Sequence, residues 1–331
     1  MRHAVKASFL AVAAVLAAAT PNASAQLGEY EPCPAAGDAR FIEASRAPCA
    51  DAAAVAVAIT PVAAADIDAT VRATGWIPLH AVQNTFEESY DLVATRGLAA
   101  LRIRRFGVAP DLDGWMAGRE LLFSRLTLVG GATPPKDSTA CTSSFLIKLG
   151  ARFGGLTAAH CAGTTKSKTT KRRNTALRRP PQPGIILGGV RRNLARRAHP
   201  LDALVVPVPS GPNRPSAAVI ERFIWRPPWF VRGTAKPITG RRVCYSGITS
   251  GPDNCGEIVR AFPGTKGLSC TSITARSGDS GSPVYTQPAA DGTVRAVGVA
   301  NIVFGLLQSM CFVPIEPVLD ALDATLATAP G

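Results

Sequence analysis

Two short segments, Thr157-Ala158-Ala159-His160-Cys161 and Arg276-Ser277-Gly278-Asp279-Ser280-Gly281-Ser282-Pro283-Val284, limit the architectures open to this chain more than any other feature. A serine hydroxyl is a poor nucleophile near neutral pH. It needs an imidazole to take its proton and a carboxylate to hold that imidazole in the right tautomer. If His160 and Ser280 serve each other in this way, the fold must bring together groups that are far apart in the chain.

A third member follows by elimination. Asp202 is the single aspartate between His160 and Asp253, and it opens the apolar run Ala203-Leu204-Val205-Val206. Burying a carboxylate there is costly unless it is hydrogen-bonded, and a histidine ring is a suitable donor. Gly-Asp-Ser-Gly alone reads equally well as an ordinary turn, since all four residues favour turns. The histidine motif, the lone aspartate and the flanking cysteines together favour chemistry. His199 precedes Pro200 with no Gly or Cys beside it and reads as a solvated loop histidine.

The order His160, Asp202, Ser280 resembles the chymotrypsin-like serine peptidases and differs from the subtilisin and α/β-hydrolase orders. The resemblance covers residues 129–331. Val129-Gly130-Gly131 looks like the start of a mature domain of that family. Val243-Cys244-Tyr245-Ser246-Gly247, followed by Cys255-Gly256, looks like the short disulfide loop of its bacterial secreted streptogrisin and α-lytic branch. The resemblance implies an all-β fold of two packed six-stranded antiparallel barrels with a C-terminal helix, the three side chains sitting in the cleft between them. It assigns Ser280 as nucleophile, His160 as general base and then acid, and Asp202 as the group orienting His160. The N–H groups of Gly278 and Ser280 would form the oxyanion hole.

In the family a buried carboxylate at the position of Asp279 needs a cation, either a new N-terminal amine or an Arg after the loop cysteine. That Arg position holds Tyr245 here, so the expected partners are the amine of Val129 after cleavage behind Leu128, or Arg241 or Arg242. Thr274 falls at the base of the primary pocket, with Asn301 and Val303 on its wall. No acid waits there for a Lys or Arg side chain, which implies a small or medium uncharged preference. Family order also implies disulfides Cys141–Cys161 and Cys244–Cys255, with Cys270–Cys311 beside the pocket. Cys33–Cys49 is left over by parity.

The first 25 residues have the make-up of a secretory signal: Arg2, His3 and Lys6, an apolar run from Phe9 to Ala19, then Ala23-Ser24-Ala25. Export turns the 8 cysteines into a disulfide question rather than a metal question, and no cofactor or metal is expected. Residues 26–128 carry 9 Lys/Arg against 13 Asp/Glu, whereas 129–331 carry 25 against 10. The segment resembles the pro-region that bacterial relatives place before the peptidase, which implies an α+β or partly ordered unit acting as inhibitor or chaperone, that is, a zymogen. The opposite charge would steer it onto the peptidase, and an accessory domain or spacer is the alternative. Thr85-Phe86-Glu87-Glu88 is a capping-box pattern that predicts a helix through Val93.

Farther along, Phe145, Ile147 and Leu149 alternate as a strand, and Phe153–Thr157 returns beside it. Ile185–Leu187, Ala203–Val208 and Ala296–Phe304 are further strands, and Pro207–Pro237 reads as the connection between barrels. Val318, Leu319 and Leu322 share a face of a helix within Pro314–Leu326.

Between 165 and 197 there are 11 Lys/Arg and no acid. That stretch could grip an anionic surface, or be a solvated loop. It contains no aromatic residue on which bases could stack, so no specific nucleic-acid partner is expected. The sequence thus points to a secreted serine endopeptidase acting on proteins or peptides. A catalytically silent homologue using the basic loop for adhesion, and an esterase with the same three side chains, are its rivals.

Overall fold

In the computed structural model the described residues are 29–84, 86–107, 109–110, 115–124, 139–162, 174–178, 185–189, 192–194, 201–208, 216–223, 225–262, 267–302 and 309–329. They are mostly strand. An N-terminal unit precedes a larger two-part β body.

The N-terminal unit is α+β. Strands β1 (Glu31–Cys33), β2 (Phe41–Ser45), β3 (Ile77–Asn84), β4 (Ser89–Arg96) and β5 (Ala99–Phe106) form an antiparallel sheet in the order β1-β2-β5-β4-β3. Helices α1 (Cys49–Ile59) and α2 (Ile67–Ala73) cover one face of it. In α1, Ala52, Val55, Ala56 and Ile59 recur at helical spacing, and all four are buried against the sheet. The disulfide Cys33–Cys49 ties the edge strand to the start of α1.

The helix predicted from Thr85 to Val93 is not formed. Glu88 takes a positive φ of 47° in a turn, and Ser89–Arg96 is strand. The reason is a period of two: Tyr90, Leu92 and Ala94 face the helices, while Val93 faces the other way. Val93 and Leu79 there pack with Met116, Val219, Phe230 and Ala329 of the body. Docking through this second face makes the sheet two-sided, and that overrides the capping signal.

Strands that precede Val129 in the chain pair with those of the body. Strand β6 (Trp115–Ala117) runs parallel to β15 (Ser216–Ile220), and β7 (Glu120–Ser124) lies antiparallel between β8 (Thr139–Thr142) and β11 (Asn174–Arg178). Trp115 is fully buried in the body's first half, its indole N–H donating to the Ser144 carbonyl at 3.1 Å. Residues 115–124 are therefore structural parts of the body. Val129 itself lies outside the described residues.

The first half of the body consists of two sheets around one core. One has the order β13 (Arg192–Asn193), β14 (Leu204–Val206), β10 (Arg152–Thr157), β9 (Leu146–Leu149), β23 (Thr325–Leu326); the other runs β12 (Ile185–Gly189), β11, β7, β8. Leu121, Phe123, Leu146, Leu204 and Val206 from both sheets meet inside.

The second half closes on itself. Strands β17 (Arg242–Gly247), β18 (Gly251–Arg260), β19 (Ser269–Thr274), β22 (Ser309–Pro314), β21 (Thr293–Ile302) and β20 (Pro283–Thr286) follow in ladder order, and β20 pairs again with β21. The result is a six-stranded barrel with no free edge within that circuit. The Pro-rich connection carries structure of its own, since β15 and β16 (Trp229–Thr234) extend the barrel sheet. Helix α3 (Ile315–Leu322) buries Ile315, Val318, Leu319 and Leu322 and stops at Asp323, which adopts φ 51°. It packs in the seam between the halves, beside Phe145, Leu156 and Val299.

Candidate active site

Register brings the first two site residues together. Strands β10 and β14 pair antiparallel with Thr157 opposite Leu204, so the turn after β10 and the residues before β14 emerge side by side. His160 lies in that turn (Ala159–Ala162) and Asp202 lies two residues before β14. The His160 N–H donates to Asp202 Oδ1 at 2.8 Å, and its ring Nδ1 meets Oδ2 at 2.5 Å. One carboxylate thus holds both the backbone and the ring of the histidine. This leaves Nε2 as the ring nitrogen free to accept a proton. Leu201 and Ala203 on either side of Asp202 are buried, so the carboxylate is fixed by its neighbours as well as by its bonds.

The Cys141–Cys161 disulfide anchors the same turn to β8. Its two sulfurs lie close to the His160 ring, but sulfur joined in a disulfide is no thiolate and cannot act as a metal ligand.

Ser280 stands in a turn with few degrees of freedom left. The Asp279 N–H donates to the Arg276 carbonyl at 3.0 Å, the Ser282 N–H to the Asp279 carbonyl at 3.1 Å, and the Ser282 hydroxyl to the same carbonyl at 2.6 Å. Gly281 N–H reaches the Ala300 carbonyl of β21 at 2.8 Å. Gly278 has φ +101°, and a Cβ there would fall 2.5 Å from Thr249 Oγ1, so only glycine suits the position.

Thr142 bridges this turn to the histidine side. Its N–H donates to the Ser280 carbonyl at 2.8 Å and its hydroxyl to the Gly278 carbonyl at 2.9 Å. Its own carbonyl accepts from the Thr157 hydroxyl at 2.8 Å. A Cβ on Gly281 would collide with that Thr157 hydroxyl. The serine turn is therefore seated on the end of β10, three residues before His160. Among the described residues no acceptor takes the N–H of Gly278 or of Ser280, which suits these two groups to receive an oxyanion.

Asp279 is wholly buried, and its carboxylate accepts from Thr249 N–H, Ser250 N–H, the Ser250 hydroxyl, the Tyr245 hydroxyl and Arg276 N–H. No ion pair reaches it among the described residues. The expected Arg241 turns away and donates to the Lys236 carbonyl, and Arg242 is exposed at the start of β17. Sequence reading missed Tyr245, Thr249 and Ser250. The signal available was the tyrosine itself, standing where a cation was expected, before a Ser-Gly turn.

Thr274 ends β19 and Asn301 lies in β21, with β22 between them. Cys270 pairs with Cys311 on that same middle strand, opposite Asn301. Val303 falls outside the described residues. The Cys244–Cys255 bridge joins β17 and β18 below the Ile248–Ser250 turn. A separate cleft of about 970 Å³ opens beside Ser277 and Gly278, bounded by Arg119, Thr139, Glu221 and Thr249.

No protein-family model matches the chain, and no curated protein matches it. Solved structures do. Thermobifida fusca protease A aligns at 25% identity over 64% of this chain and 98% of its own, with a TM-score of 0.42. Nocardiopsis protease aligns at 21% over the same two shares, also with a TM-score of 0.42. An α-lytic protease homologue aligns at 21%, again over 64% and 98%, with a TM-score of 0.45. The chain thus aligns, over about two thirds of its length, with solved structures that are described as proteases.

Proposed function

We propose that this chain is a secreted serine endopeptidase that cleaves peptide bonds through an acyl-enzyme. In this reading Ser280 Oγ attacks the substrate carbonyl carbon while His160 Nε2 takes the hydroxyl proton. The resulting oxyanion is met by the N–H groups of Gly278 and Ser280. Breaking the C–N bond returns the proton from His160 to the leaving amine, and water then hydrolyses the Ser280 ester by the same route in reverse. Asp202 holds the ring so that Nε2 faces the chemistry. The observation carrying this reading is the doubly bonded Asp202–His160 pair, with the serine turn seated on the same strand end through Thr142 and Thr157.

Export is supported by four disulfides and by the signal-like first 25 residues. Among the described residues no helix is long and apolar enough to cross a membrane. We further propose that the N-terminal unit is a pro-region, with processing before Trp115 rather than after Leu128, because 115–124 supply two strands and a core tryptophan to the body. Its apolar contact with the body centres on Leu79 and Val93, against Met116, Val219, Phe230 and Ala329. That position favours a folding chaperone over a plug. The basic stretch 165–197 is proposed to meet anionic surfaces, a role that neutralising Arg172, Arg173, Arg178 and Arg179 would remove together with its salt dependence.

The test is Ser280→Ala assayed with peptide and ester substrates side by side. Loss of peptide turnover by about 10⁶-fold in kcat supports the reading. Ester turnover without peptide turnover in the native chain would favour the esterase. Unchanged proteolysis by the variant would end the proposal.

A further inference from the structure

The Asp279 carboxylate holds the oxyanion turn by the side opposite the nucleophile, and what holds Asp279 decides when that turn is formed. Resting on the peptidase reading above, we infer that Tyr245, Thr249 and Ser250 lock Asp279 through neutral donors, so that the oxyanion turn assembles without any cation or newly cleaved N-terminal amine.

The donor geometry carries this. Asp279 Oδ1 accepts Thr249 N–H at 2.9 Å and Ser250 N–H at 3.0 Å, two successive backbone donors of one tight turn. Oδ2 accepts the Ser250 hydroxyl at 2.5 Å and Arg276 N–H at 2.9 Å, and lies 3.2 Å from the Tyr245 hydroxyl, whose one proton it shares with the Thr274 carbonyl, also at 3.2 Å. A carboxylate offers about four lone-pair sites, and the Thr249 N–H, Ser250 N–H, Ser250 hydroxyl and Arg276 N–H fill them, with Tyr245 adding a shared contact, which leaves no room for an ammonium group. Burial pushes the Tyr245 phenol well above its ordinary range, which keeps it a neutral donor at any working pH.

The donor turn is itself rigid. It is a three-residue loop closing the β17–β18 hairpin, with Gly251 at φ +82° where the chain re-enters the ladder. The Cys244–Cys255 bridge closes the hairpin below it. Asp253 ties the same hairpin to the rest of the body, accepting from Arg222 at 2.9 Å, Trp229 at 2.6 Å and Tyr285 at 3.0 Å. The loop also grips the nucleophile turn directly, since the Thr249 hydroxyl donates to the Ser277 carbonyl at 2.7 Å. Ile248 N–H donates to Thr142 Oγ1 at 3.2 Å, so the bridging threonine is held as well. Every donor comes from the folded barrel, and none depends on where the chain begins. Tyr245 and Ser250 are therefore positioning residues that act on Gly278 and Ser280 through Asp279.

The test compares the full chain with Ser250→Ala, Ser250→Thr, Tyr245→Phe and the Ser250→Ala/Tyr245→Phe pair, using peptide turnover and fluorophosphonate labelling. For Ser250→Ala, kcat is expected to fall about 10- to 100-fold with KM within about twofold, because the lost donor stabilises the oxyanion turn and not the substrate. Ser250→Thr restores most of that loss, and Tyr245→Phe, which keeps the ring in place, gives a smaller fall of the same kind. Uncleaved chain and chain processed before Trp115 should show equal kcat per labelled site. Wild-type kcat in the double variant would overturn the inference, as would a strict need for a free amine, seen as inert uncleaved chain that cleavage activates. Proteolysis that persists in Ser280→Ala would instead overturn the peptidase reading beneath it.

Discussion

His160 and Ser280 stand on walls built in different ways. The histidine wall belongs to the half made of two sheets, and its ring is governed by one carboxylate, Asp202, with the Cys141–Cys161 bridge beside it. The serine wall belongs to the closed barrel, where hydrogen bonds from Thr142, Thr249, Ser250, Ser282 and Ala300 fix the turn around Ser280. The division suits the proposed chemistry. An imidazole that takes and returns a proton needs a fixed tautomer, which one acceptor on Nδ1 provides. Oxyanion donors must keep their aim as charge develops, and that requires a backbone that does not relax.

This contrast predicts unequal responses to substitution. Asp202→Asn leaves one acceptor oxygen where two now meet the His160 N–H and Nδ1, and should lower kcat by about 10⁴-fold while the thermal midpoint stays close to wild type. A loss under tenfold would show that another group orients the ring. Gly278→Ala, which drives a Cβ toward Thr249 Oγ1, should cost about 10²- to 10³-fold in kcat with the Asp202–His160 pair intact. Near-normal turnover in that variant would mean that the serine wall yields as readily as the other.

The molecule's architecture was legible in part. Asp202 could be matched to His160 because only one aspartate lies between His160 and Asp253, and the two are bonded in the fold. Ser280 joins them in the proposed reading because nucleophilic catalysis restricts residue type. The remaining errors share a physical origin. The capping-box pattern at Thr85 is local, whereas the strand there answers to a partner surface at Met116 and Phe230 that no local window contains. Trp115–Ser124 looked like part of an acidic leading segment, yet Trp115 is buried in the body by contacts distant in sequence. The Asp279 donors escaped notice because two of them are backbone N–H groups, whose direction depends on a turn and not on a side chain.

Smaller effects are expected away from these two positions. Thr142→Val removes the hydroxyl that spans the walls, deleting its bond to Gly278 and its acceptance from Ile248. Turnover should fall about tenfold, the scale of about 1 kcal/mol per hydrogen bond, with the thermal midpoint slightly lower. The N-terminal unit provides the control. Burial works to raise the Asp38 pKa, but the Arg105 hydrogen bond and charge, with Thr60, outweigh it and hold the carboxyl below its ordinary range. A depressed folded pKa contributes stability above the unfolded value, and that contribution is lost as pH falls through the folded one. The thermal midpoint of wild type should therefore drop toward that of Asp38→Asn on acidification, while the two proteins share the same turnover at neutral pH. A change in turnover at neutral pH would tie this remote ion pair to the cleft.

The most direct measurement is fluorophosphonate modification of the native chain followed by peptide mapping and N-terminal sequencing. One label per chain is expected, on Ser280, with loss of proteolysis in proportion to labelling. Label on another residue, or full proteolysis with Ser280 unmodified, would contradict it.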